Sequence, residues 1–343
     1  LNGSGFMSIL WLPNRRCRMD RPVAGRFAPT PSGRMHLGNA FCSLLAWLSA
    51  RSQGGRIILR IEDLDPERSP MAYAELLEDD LQWMGLFWDE GGKEGGPHAP
   101  YYQSKRTEIY RSYFSKLEER GLLYPCFCSR TELHSAEAPH RSDGRFLYTG
   151  RCRNLTPEEV AEHRKTRKPA ARIRVPETVV SFDDLHYGHQ EELLSRDCGD
   201  FIVRRADGVF AYQLAAALDD ALMGITEVVR GSDLLSSSPR QIWLQSLFGF
   251  SPPRYGHIPL LAAVDGRRLS KRDGDLDLGT LRRRFPSPEP ILGLLGWLSG
   301  LLDRPEPVKA KELIPLFDWS RIPKEDIRID GRILDGLLEG KIE

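Results

Sequence analysis

Cysteine is scarce, net charge is absent and no long apolar run interrupts this chain of 343 residues. Six cysteines are too few for the disulfide framework of a secreted scaffold. Cys126 and Cys128 stand one residue apart, a spacing that suits a metal better than a bridge. A reducing, cytoplasmic compartment is expected. The 48 basic and 48 acidic side chains cancel, which argues against coating nucleic acid through bulk charge and leaves room for a local basic face. The apolar run around Ile291–Leu302 falls short of the roughly 18 to 20 residues of a membrane span, so no membrane association is expected. Glycine and proline, 31 and 24 residues, stay below low-complexity levels, and 41% hydrophobic residues can bury a core in two or three units.

Leu1–Arg18 read as a tail, with Met19 opening the folded stretch. Val23–Pro29 predicts a strand ending in a Pro/Ser/Gly turn, Asn39–Arg51 a helix, Arg56–Ile61 a second strand and Met71–Met84 a second helix. Repeated strand-to-helix units imply a parallel α/β sheet. A helix over Lys105–Arg120 leads to Cys126, after which the pattern turns irregular, charged and cysteine-bearing to about Asp197, as in an insertion. Phe201–Arg205, the Asp207–Gly208 turn, a helix over Leu214–Leu222, a strand over Thr226–Arg230 and a helix over Pro239–Leu247 resume the α/β pattern. Beyond Leu281 the chain reads as helical, broken at Pro286, Pro288 and Pro290.

Two loops carry chemistry. His36-Leu37-Gly38-Asn39 follows the first strand and opens the first helix, where free N–H groups, the dipole and a histidine donor suit a phosphate. Leu269-Ser270-Lys271-Arg272 is a basic loop whose lysine can neutralise charge on a phosphate in transfer. Each alone reads more simply as a turn. In this order they resemble the two signatures of class I aminoacyl-tRNA synthetases. Gly25-Arg26-Phe27-Ala28-Pro29-Thr30-Pro31-Ser32-Gly33, Leu59-Arg60-Ile61-Glu62-Asp63-Leu64-Asp65-Pro66, Tyr102-Gln103-Ser104, Ala211-Tyr212-Gln213-Leu214-Ala215 and Val229-Arg230-Gly231-Ser232-Asp233-Leu234-Leu235 narrow the resemblance to glutamyl-tRNA synthetases. It runs from about Val23 to Asp275, and with only about 70 residues after Lys271 the usual anticodon-reading domain is not expected. The truncated form is similar to the glutamyl-queuosine tRNA(Asp) synthetases, which attach glutamate to a modified base.

The resemblance implies a Rossmann-like parallel core, a zinc-bearing insertion and a short helical C-terminal region. The expected division is a tail at 1–20, the first half of the core at 21–124, the insertion at 125–196, the second half of the core at 197–256 and the lysine loop with the helical region at 257–343. It implies catalytic roles for His36 and Lys271, with Gly38, Asn39 and Ser270 also at ATP. Arg26, Phe27, Ala28, Pro29, Thr30, Glu62, Tyr212 and Arg230 fall at the glutamate positions. Two guanidinium forks for carboxylates, one acid for an ammonium and one hydroxyl fit that substrate, although singly each has a simpler role in an ion pair, a cap or the core. Asp63 and Asp65 read as turn and cap groups rather than magnesium ligands. Cys126, Cys128, Tyr148 and Cys152 match the family's structural zinc set. His134 and His140 remain candidates for the tyrosine's place, and a metal-free insertion is the alternative. Cys17, Cys42 and Cys198 read as unrelated thiols.

The implied activity is tRNA-independent, magnesium-assisted activation of glutamate by ATP, then transfer to queuosine at the wobble position of tRNA(Asp). A monomer is expected, with basic clusters at His163–Arg174 and Arg282–Arg284 contacting RNA phosphates or simply facing solvent. A shortened conventional synthetase and a non-catalytic binding protein on the same core are the alternatives.

Overall fold

The computed structural model describes residues 21–129, 132, 147–266, 277–330, 333 and 336. The expected tail thus lies outside the described residues, apart from its boundary. From the N-terminus, β1 (Ala24–Phe27), α1 (Leu37–Ser52), β2 (Arg56–Leu59), α2 (Met71–Trp83) and β3 (Glu90–Gly91) build a parallel sheet in which Ala24 is in register with Arg56 and Ile58 with Glu90. Leu37, Phe41, Leu44, Leu45 and Leu48 are all buried, because α1 is apolar around most of its circumference and packs within the main core.

After α3 (Thr107–Glu119), which a short 3-10 turn at Gln103–Arg106 precedes, come β4 (Leu123–Cys126), α4 (Pro157–Thr166), β5 (Ala170–Ile173), the hairpin of β6 (Val179–Asp184) and β7 (Gly188–Leu193), and β8 (Phe201–Arg204). α5 (Tyr212–Leu222), β9 (Glu227–Gly231), α6 (Ser238–Leu247), β10 (Arg254–Ile258) and β11 (Leu261–Ala263) follow, and then α7 (Leu278–Arg284), α8 (Glu289–Leu298) and β12 (Ile327–Ile329). A second sheet has the order β7-β6-β10-β9, with β6, β10 and β9 parallel.

The two sheets meet at β1 and β9. There Thr226 N–H donates to Ala24 O at 2.9 Å, and Thr226 Oγ1 accepts from Ala24 N–H at 2.8 Å. Farther along no ladder joins the two strands, and the Arg26 side chain reaches across to Val229 O at 2.8 Å. The break opens a cleft at the carboxyl ends of parallel strands, where open α/β sheets place their ligands.

Three expectations need correction. The stretch to Asp197 is not irregular: it supplies α4, β5 and the β6–β7 hairpin, and β6 joins the second sheet where Asp184 pairs in register with Tyr255. Charged side chains on exposed hairpin faces hid the alternation there. β8 does not resume the parallel pattern but pairs antiparallel with β5 in a β4-β5-β8 sheet, since alternation predicts a strand and not its partner. The region beyond Leu281 is not all helix, because Ile327–Ile329 pairs in parallel with Leu261–Ala263.

Candidate active site

The cleft, about 590 Å³, is lined by Arg26, Phe27, Ala28, Pro29 and Thr30 from the end of β1, by Glu62, by His36, Gly38 and Asn39 at the start of α1, and by Tyr212 and Arg230. The structure therefore gathers every described residue expected at ATP or glutamate. Ser270 and Lys271 lie outside the described residues. A separate hollow of similar size, lined by Gln53, Glu227, Arg254 and Trp319 among others, contains none of the candidate residues.

His36 is the N-cap of α1. Its Nδ1 accepts from Gly38 N–H at 3.1 Å, and Asn39 Oδ1 accepts from His36 N–H at 3.2 Å, a reciprocal capping box. An acceptor at Nδ1 leaves the proton of the neutral ring on Nε2, which makes that nitrogen a donor. A Cβ on Gly38 would stand 3.1 Å from the His36 ring, so the glycine leaves the ring its place over the helix start. Asp277 bridges to His36, and Leu278 N–H donates to Met35 O at 2.8 Å, which ties the chain just after the lysine loop to the signature turn. Arg34 and Arg282 reinforce this tie by sharing the buried Asp80, at 2.6 and 3.0 Å.

On one wall, Glu62 takes Arg60 at 2.9 Å. Arg60 is fully buried and also meets Asp220 at 2.7 Å and Asp219 at 3.8 Å. Arg106, Gln103 and Tyr110 all donate to Asp219. Arg26 lies 3.7 Å from Asp220, and its buried Nε–H has no hydrogen-bond acceptor. Burial pushes the Glu62 carboxyl above the usual range, against the pull of Arg60.

The other wall carries Arg230. Its Nε donates to His257 Nε2 at 3.1 Å, Nη1 to Gln241 Oε1 at 2.8 Å and to the Tyr212 hydroxyl at 3.3 Å, and Nη2 to Ser238 Oγ at 2.8 Å. Every partner is neutral, and no carboxylate contacts this buried guanidinium among the described residues. An unmatched buried cation is costly until an anion arrives. This wall therefore lines the cleft with a buried cation whose charge no described contact offsets. Asp219, Asp220, Gln241 and His257 escaped sequence reasoning, and Arg60 stood in a quoted motif without a role of its own. Charges set inside apolar runs, as in Ile58-Leu59-Arg60-Ile61 and Ala217-Leu218-Asp219-Asp220, were the signal available.

Asp63 accepts from the Ser104 N–H and hydroxyl at 2.9 and 2.6 Å, and Asp65 pairs with Arg205 at 3.0 Å. Both carboxylates are thus engaged in structural contacts.

At the end of β4 and in the segment after it, the sulfurs of Cys126, Cys128 and Cys152 lie within 4.8 Å of one another and could hold a metal ion. Cys128 and Cys152 are 3.6 Å apart, and the Tyr148 hydroxyl is 3.7 Å from Cys126. Arg172 lies 3.7 Å over the Tyr148 ring and, against burial, holds the Cys126 thiol below its ordinary value. His134 and His140 lie outside the described residues, as does Cys17. Cys42 and Cys198 stand apart from the cluster. The basic clusters are partly structural: Arg172 is buried, Arg167 donates to Phe127 O, and Arg282 is engaged by Asp79 and Asp80.

A parallel sheet opened between two strands, with a capping histidine at the first helix and a buried arginine opposite, defines an α/β protein of the class that binds its ligands at a break between parallel strands. The tRNA synthetases class I (E and Q), catalytic domain, family matches residues 22–326, and the chain belongs to that family. It is therefore a ligase of the aminoacyl-tRNA synthetase type. It is 52% identical over 322 residues to the glutamyl-Q tRNA(Asp) synthetase of Symbiobacterium thermophilum, covering 93% of this chain and 99% of the relative. With the protein of that name from Nitratidesulfovibrio vulgaris it shares 46% identity over 320 residues, again covering 99% of the relative. The glutamate-tRNA synthetase of Elizabethkingia anophelis superposes with a TM-score of 0.77 at 30% identity, covering 92% of this chain and 70% of that one. No helix of the described residues is long and apolar enough to cross a membrane.

Proposed function

We propose that the protein activates L-glutamate with ATP, without requiring tRNA, and transfers the glutamyl group to queuosine at the wobble position of tRNA(Asp). The observation that carries glutamate is Arg230, a buried cation surrounded by neutral partners, facing a cleft that also holds Arg26 and Glu62. The 52% and 46% identity to relatives named glutamyl-Q tRNA(Asp) synthetase supports the queuosine acceptor over the terminal adenosine.

In the first step a glutamate carboxylate oxygen bonds to the α-phosphorus of ATP as the bond to the bridging oxygen breaks, and pyrophosphate leaves. His36 donates from Nε2 to a phosphate oxygen beside the start of α1, and Lys271 offsets the charge that grows on the phosphates. Magnesium arriving with ATP supplies further positive charge. Arg26 and Arg230 hold the carboxylates, Glu62 takes the ammonium, and Tyr212 supplies a hydroxyl. Phe27, Ala28, Pro29 and Thr30 form the wall, while Gly38, Asn39 and Ser270 frame the nucleotide. In the second step a hydroxyl oxygen of queuosine bonds to the acyl carbon, its proton leaves and AMP departs.

Cys126, Cys128, Cys152 and Tyr148 form the proposed zinc site. Ligands at about 2.3 Å around a tetrahedral zinc lie about 3.8 Å apart, close to the separations present. One zinc per chain is expected on elemental analysis, and its removal by a chelator is expected to lower Tm. Unchanged metal content in Cys152→Ser would remove the site. The division at 124/125, 196/197 and 256/257, a monomeric state and a cytoplasmic location are part of the same proposal.

The deciding experiment offers labelled glutamate and bulk tRNA from cells that make queuosine and from cells that cannot. Label on the first alone supports the reading. Equal label on both would make the protein a short conventional synthetase, and pyrophosphate exchange that needed added tRNA would remove the tRNA-independent step.

A further inference from the structure

We propose that Asp184 and His257 are positioning residues for Arg230, a buried chain that fixes the guanidinium for a substrate carboxylate. The inference rests on the glutamate reading above. His257 and Arg230 face each other in register on β10 and β9, and Asp184 closes β6 on the other side of β10. All three side chains are buried, His257 completely.

The proton positions follow from one obligate donor. Arginine Nε–H can only donate, so His257 Nε2, 3.1 Å away, must be the bare nitrogen. The ring proton then sits on Nδ1, which donates to Asp184 Oδ2 at 2.6 Å. Asp184 is itself fixed, because its Oδ1 accepts from the backbone N–H groups of His186 and Tyr187 at 3.0 and 2.9 Å. The turn that carries these residues is pinned to the C-terminal region, where Pro323 O lies 3.0 Å from His186 Nε2 and Lys324 O accepts from the Tyr187 hydroxyl at 2.8 Å. The charged groups that bear on the ring are Asp184, Arg230 and Arg26. Burial and the two arginines outweigh Asp184 and hold His257 down to about 4, so the imidazole stays neutral.

Arg230 is left with a single orientation. Its bonds to His257, Gln241, Tyr212 and Ser238 engage four of its five N–H groups, and the fifth, on Nη2, has no acceptor among the described residues. A neutral imidazole anchors the guanidinium without offsetting its charge at contact distance. An aspartate in direct contact would compete with the substrate's own carboxylate.

Asp184→Asn tests the chain because its amide satisfies the ring only by donating to Nδ1. That moves the ring proton to Nε2 and sets two N–H groups face to face. His257→Leu removes the acceptor, whereas His257→Gln places an amide oxygen where Nε2 stood. Glutamate-dependent pyrophosphate exchange by the full chain is expected to show glutamate KM raised about tenfold to a hundredfold in Asp184→Asn and His257→Leu. ATP KM should stay within about twofold, and His257→Gln should remain close to wild type. Equal damage in His257→Gln and His257→Leu, or glutamate and ATP KM rising together, would mark a merely structural role and overturn the proposal. The imidazole nitrogen spectrum of the wild type gives a reading independent of folding in the variants. One histidine, missing in His257→Gln, should be the neutral Nδ1–H form and should not titrate between about pH 5 and 8. An Nε2–H form there overturns the chain. Absence of any glutamate-dependent exchange in the wild type defeats the glutamate reading instead, and the spectrum still decides the hydrogen-bond chain.

Discussion

The two walls of the cleft both present buried arginine, yet they are wired in opposite ways. On the β1–β2 side Arg60 lies among Glu62, Asp219 and Asp220, and Arg106 shares Asp219, so positive and negative charge nearly match within the wall. On the β9–β10 side Arg230 touches only His257, Gln241, Tyr212 and Ser238, and the nearest carboxylate in its chain of contacts, Asp184, stands behind an imidazole. Matched charge is scaffold: it fixes Glu62 and ties the first half of the core to α5. Unmatched charge, on the function proposed above, is left for the substrate's carboxylate to complete. Identical residue types thus carry different meanings, and the partner list distinguishes them.

The comparison breaks most severely at Arg60. Arg60→Leu strands Glu62, Asp219 and Asp220 without their shared cation, and removing one partner of a buried ion pair costs about 3 to 5 kcal/mol. That is a large part of a typical domain's stability. Thermal and urea unfolding should therefore show the largest loss in this variant. A change below about 1 kcal/mol would mean that the wall's charges are not coupled in this way.

Arg230→Leu should reverse the balance of effects. It removes an uncompensated charge and leaves only neutral groups without a partner, so its stability loss should be well below that of Arg60→Leu. Glutamate-dependent pyrophosphate exchange, by contrast, should fall in kcat/KM by about 2 to 4 kcal/mol, roughly thirtyfold to a thousandfold. Similar stability losses in the two variants, with exchange spared in Arg230→Leu, would erase the distinction between the walls.

The two walls were not equally legible in the sequence. Arg26, Glu62, Tyr212 and Arg230 stand in compact motifs, and each motif places its residue at the mouth of a strand or the start of a helix, so the family resemblance those motifs carry reached them. The networks behind them join distant positions, even where the direct partner is near, as Arg60 is to Glu62: Arg60 meets Asp220 across 160 positions and Asp184 meets His257 across 73. Nothing in a local window pairs such residues. The β6–β7 hairpin was missed for a related reason, since His189, Glu191 and Glu192 interrupt any apolar alternation while backbone pairing and a neighbouring strand make the hairpin. β12, three residues long, exists because β11 offers it an edge. Cys126 and Cys128 were readable by spacing and Cys152 by the family resemblance, whereas Arg172 looked like one more surface charge in a basic run and is buried against Tyr148.

The mildest test concerns Glu62, the acid that both belongs to the matched wall and faces the ligand. Burial raises its carboxyl above the ordinary range and Arg60 only partly reverses this, so acidification protonates it earlier than an exposed glutamate. The charged form is the one that pairs with an ammonium. The sign follows: kcat/KM for glutamate, which reports the free enzyme, should fall as pH drops through this raised value, while ATP KM stays flat. Glu62→Gln should lower kcat/KM by about tenfold at neutral pH, the cost of one charged hydrogen bond, and should also abolish the acid limb. Pyrophosphate exchange followed against pH in both proteins separates the possibilities. An acid limb that survives in Glu62→Gln would belong to another group, and Glu62 would then be scaffold like Asp219 and Asp220, with the ammonium held elsewhere in the cleft.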